Sequence, residues 1–364
     1  LHARKRIAVV VTARPSYARI TTALEALYLR GDVDVSLIMA ASSLLERYGR
    51  VSDYVPFPIH ARVYSTLEGA NHETSAIETG LLEVQLASQL SHLRPDMVVT
   101  IADRHETLAT AVAASYQNIP LAHLQGGEDT GSIDDRVRNA VSMLADLHLP
   151  ATDMAAWKLA NMGVRGRICK TGCPSVDLAL RAKSLPPITT IPHGVGPQID
   201  FSGRFLMVLY HPDTREDPTG HIGAILRACG RHNLPIALFW PGEDAGQEII
   251  AKEIRVLNPH VPFQVFKHLP APEFLKLCDQ AVALVGNSSV GIRECAFLGT
   301  PVVNVGLRQE GRERASNVVD VPVNEAEIAY AIQQQIDHGT YERCFLYGDG
   351  HAGELVAAAL MEVA

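Results

Sequence analysis

The chain has 364 residues, a formal net charge of −8, 47% hydrophobic residues and 20% charged residues. The length gives room for two domains of ordinary size, and the composition is that of a globular protein, which excludes a disordered chain. The negative balance excludes a nucleic-acid binder working through bulk positive charge, and no apolar run approaches the roughly 18 residues of a membrane span. The opening segment, Leu1 to Arg6, leads straight into a predicted strand with no signal-peptide anatomy, and Leu1, not a natural first residue, suggests a fragment or a tag remnant. Six scattered cysteines, Cys169, Cys173, Cys229, Cys278, Cys295 and Cys344, read as reduced, mostly buried thiols of a cytoplasmic protein. Cys169 and Cys173 have the spacing of half a metal site, but no second pair or histidine cluster completes it, so no metal is expected.

In chain order, Ile7 to Val11 reads as a buried strand, followed by a loop, Thr12 to Ser16, and a helix, Ile20 to Tyr28. Val33 to Met39 is a second strand, Ile77 to Leu93 a long helix, Met97 to Ile101 a strand, Glu106 to Ser115 a helix and Pro120 to Leu124 a strand. A further helix is expected to run from Asp134 to Leu147. Alternating strands and helices predict a parallel sheet covered on both faces. The pattern lapses between about Ala182 and Gly203, where Leu185-Pro186-Pro187 and Val195-Gly196-Pro197 mark a linker. It then restarts with strand Phe205 to Tyr210, helix His221 to His232, strand Pro235 to Trp240, helix Gln247 to Leu257, strand Phe263 to Phe266 and helix Pro272 to Leu277. An apolar run, Ala281 to Val285, enters a small-residue turn, Gly286-Asn287-Ser288-Ser289, from which one amphipathic helix is predicted, with Glu294 about one and a half turns in; strand Pro301 to Val305 follows. Two α/β halves predict a ligand at the carboxyl ends of their strands, in a cleft.

Polar residues gather where predicted strands end. Asp103 follows one strand, Gly126-Gly127-Glu128 another, and Asp134, Asp135 and Arg138 lie just beyond; Asp213 follows His211 after a strand of the second half. The expectation is several carboxylates at one edge of one sheet, the crowding that separates acid from base. Each has a plainer reading: Asp103, Asp134 and Asp135 could cap helices, and His211 before Pro212 could be a turn residue rather than a diphosphate donor. Glu128 is harder to set aside, because two glycines before it let something approach the backbone. His123 and His148 read as structural. Gly286 to Ser289 is either an ordinary N-capped βα turn or a phosphate seat, with N–H groups, hydroxyls and the helix dipole converging there. Arg14, in the loop after the first strand, offers a guanidinium to phosphate. That loop has neither G-x-G-x-x-G nor G-x-x-x-x-G-K-[ST], so NAD and P-loop chemistry are not expected.

These pieces resemble the UDP-N-acetylglucosamine 2-epimerase family, and within it the hydrolysing branch of sialic-acid-type pathways. The resemblance runs through TARPSYARI at 12–20, ADRHETLA at 102–109, NIPLAHLQGGE at 118–128, GSIDDRVRNA at 131–140 and TGCPSVD at 171–177. It continues through YHPDT at 210–214, KHLP at 267–270, GNSSVGIRE at 286–294, GLRQEGRE at 306–313 and YGDG at 347–350. It implies a GT-B architecture: an α/β fold of two Rossmann-like domains with a central cleft, residues 1–184 and 200–350 joined by a linker at 185–199, with a C-terminal helix at 351–364 packing back on the first. It implies that Asp103, Glu128 and Asp134 are acid/base carboxylates with Arg138 beside them. By the same resemblance Arg14, His211, Ser288 and Ser289 hold a diphosphate, Glu294 the ribose and the backbone around Lys267 and His268 the uracil. Asp135 and Arg308 complete the substrate-binding set. A UDP-sugar is the implied partner, in a homo-oligomer (dimer or tetramer), with neither a cofactor nor an essential metal. The sequence departs from the family at two places. Asn139 stands where the hydrolysing branch usually has His, and Ala102 where the family usually has Gly.

Overall fold

The structure, a computed structural model, describes residues 4–69, 71–131, 133–213, 215–242, 246–256 and 261–362. Leu257 at the expected helix end, Ser132 and Thr214 within the quoted motifs, Leu1 and the last two residues of the expected 351–364 helix lie outside the described residues. The chain forms two units. The first takes residues up to Glu128, 133–177 and those from Gly348 on; the second takes a short piece from Asp129 and residues 178–347.

The first unit contains β1 (Lys5–Val11), α1 (Arg14–Ala18), α2 (Thr21–Tyr28), β2 (Val33–Ala40), β3 (Ile59–Val63), α3 (His72–Leu93), β4 (Met97–Ile101), α4 (His105–Ser115), β5 (Leu121–Leu124), α5 (Ile133–Leu144), β6 (Leu147–Leu149), α6 (Asp153–Met162) and β7 (Arg167–Ile168). Helix α7 (Pro174–Lys183) carries the chain from one unit to the other. The seven strands are parallel, in the order β3-β2-β1-β4-β5-β6-β7. Strand alternation explains the unbroken apolar runs. In β1, Ile7, Val9 and Val11 enter the core on one face of the sheet, while Ala8 and Val10 enter the core on the other.

The second unit contains β8 (Leu206–Leu209), α8 (His221–Gly230), β9 (Ile236–Phe239), α9 (Gln247–Val256), β10 (Phe263–Phe266), α10 (Ala271–Gln280), β11 (Ala283–Gly286), α11 (Ser289–Ile292), α12 (Glu294–Leu298), β12 (Val302–Val305), β13 (Val318–Val321) and α13 (Glu325–His338). Its six parallel strands run β10-β9-β8-β11-β12-β13. Both sheets thus contain the doubly wound 3-2-1-4-5-6 order, whose switch point lies between β1 and β4 in one and between β8 and β11 in the other. Within this unit, Val195 of the Pro-rich segment exchanges backbone hydrogen bonds with Val265 (2.9 and 2.8 Å).

The last helix, α14 (Ala352–Glu362), packs on α2 of the first unit. Asp177, buried at the start of α7, organises that junction. Its carboxylate accepts the N–H groups of Ala352 (2.9 Å) and Gly353 (2.7 Å) at the helix start, and the Thr22 hydroxyl (2.7 Å).

Three boundaries differ from the sequence expectations for identifiable reasons. Thr12 to Ser16 is not all loop, because α1 begins at Arg14, with Pro15 in its first turn where a missing N–H costs nothing. Helix α3 starts five residues before the apolar periodicity does, because Asn71 and Thr74 form a capping box with two 3.0 Å hydrogen bonds. Helix α5 ends at Leu144 rather than Leu147, because Leu147–Leu149 pairs with β5 as a strand.

His123 and His148 pair side by side across β5 and β6, both fully buried. Burial depresses both imidazoles, His123 from 6.5 to about 4. The unfolded chain therefore takes up a proton at His123 before the folded one does. The stability it contributes is complete above about pH 6.5 and falls as pH drops toward 4. At 1.36 kcal/mol per unit, the predicted loss between pH 7.5 and 5 is about 2 kcal/mol from His123, with His148 adding in the same direction. Urea unfolding at the two pH values checks this. A His123→Gln protein should lose most of that pH dependence, and an unchanged slope would remove His123 as its source.

Candidate active site

In the first unit, Arg14 and Asp103 follow the two strands that flank the switch point, β1 and β4. Asp103, Glu128 and Asp135 converge on Arg138. Arg138 is 1% exposed, and α5 presents it three residues after Asp135, on the same helix face. Its Nη2 donates to the Asp103 carboxylate, and its Nη1 to Asp135 Oδ1 (2.6 Å) and to the backbone carbonyl of Glu128. Burial alone would lower the Arg138 pKa, but the charges of Asp103, Glu128 and Asp135 outweigh it and raise the pKa further. Arg138 thus bonds two carboxylates and a main-chain carbonyl, with the charge of Glu128 acting on it as well. Glu128 is 6% exposed. Asp134 is half-buried in the first turn of α5, rotated by about 100° from Asp135. Asn139 is also half-buried on this helix.

The glycines before Glu128 make room for the protein itself. A Cβ at Gly126 would lie 2.7 Å from Ser142 Oγ, and Gly127, at φ 82°, has the Ala155 carbonyl where a Cβ would go. Asp103 is not the helix cap: Arg104 holds that position, with no side-chain cap bond, and the Asp103 carboxylate goes to Arg138. Below it, Arg104 pairs with the buried Glu106 (3.1 Å) and His105 with Glu78 (3.2 Å). Burial would lower His105, but Glu106 and Glu78 outweigh it and raise the pKa; burial would raise Glu106, but Arg104 and His105 lower it. Arg14, half-buried at the head of α1, has its guanidinium pKa lowered by burial, opposed by Tyr54.

In the second unit, His211 and Asn287 follow the strands flanking the switch point, β8 and β11. Asn287, a turn residue by its sequence setting, is buried and joins three loops. Its Oδ1 accepts the His211 N–H (2.8 Å), its Nδ2 donates to the His211 carbonyl (2.8 Å), and its own carbonyl accepts from Gln309 Nε2 (2.9 Å) and Arg308 Nη1 (3.3 Å). His211 Nδ1 accepts from the Gly242 N–H (2.9 Å), which leaves the proton of a neutral ring on Nε2. Ser288 caps α11, its Oγ accepting the Val290 N–H (3.5 Å), and Ser289 is half-buried beside it.

The single helix expected after Ser289 is broken at Arg293 into α11 and α12, so Glu294 heads the second piece instead of lying within one helix. Arg293 is buried, with its guanidinium over the Tyr347 ring at 5.8 Å. Among the described residues, the buried Oε2 of Glu294 has no hydrogen-bond partner, an acceptor that a ligand hydroxyl would satisfy. Lys267 is exposed and His268 half-buried at the end of β10. Of the residues named with the several carboxylates expected at one sheet edge, Asp213 instead follows β8 of the second sheet and is neutralised by Arg215 (2.7 Å).

Cys173 is engaged by Gln125 Nε2 and Ser175 Oγ, both at 2.8 Å. Among the described residues, no group of three or more His, Cys, Asp or Glu is placed to hold a metal, and no helix is long and apolar enough to cross a membrane.

A Legionella pneumophila protein named UDP-N,N'-diacetylbacillosamine 2-epimerase (hydrolyzing) is 30% identical over 96% of this chain and 94% of its own length. A Neisseria meningitidis protein named UDP-N-acetylglucosamine 2-epimerase is 27% identical over 93% of this chain and 89% of its own length. The solved structure of Methanocaldococcus jannaschii UDP-GlcNAc 2-epimerase, in complex with UDP-GlcNAc and UDP, superposes with a TM-score of 0.78 at 15% identity. It covers 98% of this chain and 100% of its own. That likeness shows the fold, two Rossmann-like α/β domains of the GT-B class. The profile of the family described as UDP-N-acetylglucosamine 2-epimerase matches residues 25–361, and the chain therefore belongs to that family.

Proposed function

We propose that the protein is a hydrolysing nucleotide-sugar 2-epimerase that converts UDP-N-acetylglucosamine to UDP and N-acetylmannosamine. The observation that carries the reading is the carboxylate cluster on Arg138, in a chain of this family. The C2 hydrogen of such a sugar is not acidic, because no carbonyl adjoins it. Breaking the C1–O bond to UDP gives C1 cationic character, and a carboxylate then takes the C2 proton, leaving a 2-acetamidoglucal and free UDP. Water adds its oxygen to C1, and C2 regains a proton on the opposite face. Asp103, Glu128 and Asp134 are the proposed acid/base groups, beside Arg138 and Asp135. Arg14, His211, Ser288, Ser289 and Arg308 are proposed to hold the diphosphate, Glu294 the ribose hydroxyls, and the segment at Lys267 and His268 the uracil. The route consumes neither NAD nor metal. A homo-oligomer and a cytoplasmic setting, the latter consistent with six free cysteines, belong to the same reading.

The GSIDDRVR stretch and the Legionella relative's name support the hydrolysing branch, and that name favours a second substrate, UDP-N,N'-diacetylbacillosamine. Proton NMR in D2O with each sugar nucleotide tests both. Free 2-epimeric sugar carrying deuterium at C2, with stoichiometric UDP, is the expected result. A 2-epimeric sugar still attached to UDP would overturn the hydrolysing reading. Both substrates remaining intact and unlabelled would overturn the function.

A further inference from the structure

Ala102, the residue before Asp103, sits at φ 69°, a left-handed conformation that a residue with a Cβ rarely adopts. Strand β5 holds both of its backbone groups. The Ala102 N–H donates to the Leu124 carbonyl (2.9 Å), and the Ala102 carbonyl lies 2.9 Å from Nε2 of His123. That carbonyl belongs to the peptide leading into Asp103, so its orientation sets where the Asp103 side chain starts. A carbonyl only accepts, so the ring proton is on Nε2, and in a neutral imidazole Nδ1 is then the acceptor. Ser142 Oγ lies 3.0 Å from Nδ1, and its hydroxyl is the donor. Burial lowers the pKa of this imidazole to about 4, which keeps it neutral near pH 7. Ser142 is four residues after Arg138 on α5, so one ring links the helix carrying Arg138 to the peptide carrying Asp103. Gly126 clears the space: a Cβ there would lie 2.9 Å from His123 Nδ1 as well as 2.7 Å from Ser142 Oγ.

We infer that His123 and Ser142 are positioning residues that hold the left-handed Ala102 peptide, and through it set the Asp103 carboxylate against Arg138. A core that needed only volume at position 123 would be served by an apolar side chain. The two hydrogen bonds define direction as well as filling space. The inference rests on the epimerase reading for its effect on turnover, but not for the arrangement itself.

Four variants, Ser142→Ala, His123→Gln, His123→Leu and His123→Leu with Ala102→Gly, separate positioning from packing. Each is measured for kcat, KM, UDP affinity by calorimetry and Tm, on whichever sugar nucleotide the wild-type protein turns over. Misplacement of a catalytic group by an ångström can cost about 100-fold. His123→Leu should approach that loss in kcat, with KM and UDP affinity within about two-fold. Gln, whose amide can reach the Ala102 carbonyl, should recover about ten-fold, and Gly at 102, which adopts the left-handed conformation freely, should recover part of the loss without restoring the hydrogen bond. Ser142→Ala, the variant least able to disturb folding, should lose several-fold in kcat. Wild-type kcat in both Ser142→Ala and His123→Gln would overturn the inference. So would activity losses that merely follow the folded fraction, with no rescue by Gln or Gly. Nitrogen-15 NMR of His123 in the wild-type protein reads the arrangement without turnover: an Nε2–H tautomer is expected, and an Nδ1–H tautomer overturns the inference. A wild-type protein that turns over neither substrate would instead refute the epimerase reading and leave the NMR result to decide this one.

Discussion

Arg138→Met should cost about 3–5 kcal/mol of unfolding free energy and remove measurable turnover. Arg138 bonds both Asp103 and Asp135 and also the Glu128 carbonyl, and it is fully buried. Methionine fills much of its volume and supplies none of its donors. Asp103 and Asp135 then lose the guanidinium that bonds both, and the Glu128 carbonyl loses a hydrogen bond. Leaving a buried charge uncompensated costs far more than the intact pair contributes. Arg138→Lys separates charge from shape. It restores a cation, and should recover about half the lost stability, but one ammonium cannot reproduce a fork that reaches three acceptors. Turnover should therefore stay low in Lys while stability partly returns. Urea unfolding and kcat on the three proteins decide it. A stability loss below about 1 kcal/mol in Arg138→Met would show that Arg138 is not what compensates these carboxylates.

The parts of the fold legible in the sequence were those where one residue type serves one environment. Ile7 to Val11 is apolar throughout because both faces of β1 are buried, and Leu82, Leu86 and Leu90 recur every four residues because α3 buries one stripe. Features that depend on distant partners were not legible. Leu147–Leu149 continues a helical pattern and becomes a strand only because β5 lies alongside it. The break at Arg293 leaves the periodicity of residues 289–298 intact. Asn287 looked like a turn residue because its amide partners are 76 positions away, at His211. The Gly-Gly-Glu stretch did mark a close approach, but the approaching atoms are Ser142 Oγ and the Ala155 carbonyl, which local sequence cannot reveal. His123 reads as structural in the sequence and is buried; what its two nitrogens hold is visible only with β4, β5 and α5 together.

Glu128→Gln should share the lost turnover of Arg138→Met but not its lost stability: kcat down by about 1,000-fold, stability within about 1 kcal/mol of the wild type, UDP affinity unchanged. The side chain keeps its shape and exposure, so packing is preserved. Its charge is one of three negative charges acting on Arg138, and with two left the cation remains compensated. The Glu128 group bonded to Arg138 is the backbone carbonyl, which the substitution does not touch. The residues proposed to bind UDP are elsewhere, so calorimetry with UDP should not distinguish the two proteins. The change is confined to chemistry, because an amide cannot take up or return a proton at these pH values. Deuterium incorporation then identifies the step. If the variant neither releases UDP nor labels C2, Glu128 acts in the elimination. If it releases UDP and accumulates the unsaturated sugar, Glu128 serves the addition of water instead. Turnover within ten-fold of wild type would remove Glu128 from the mechanism and shift the proton transfers to Asp103 and Asp134.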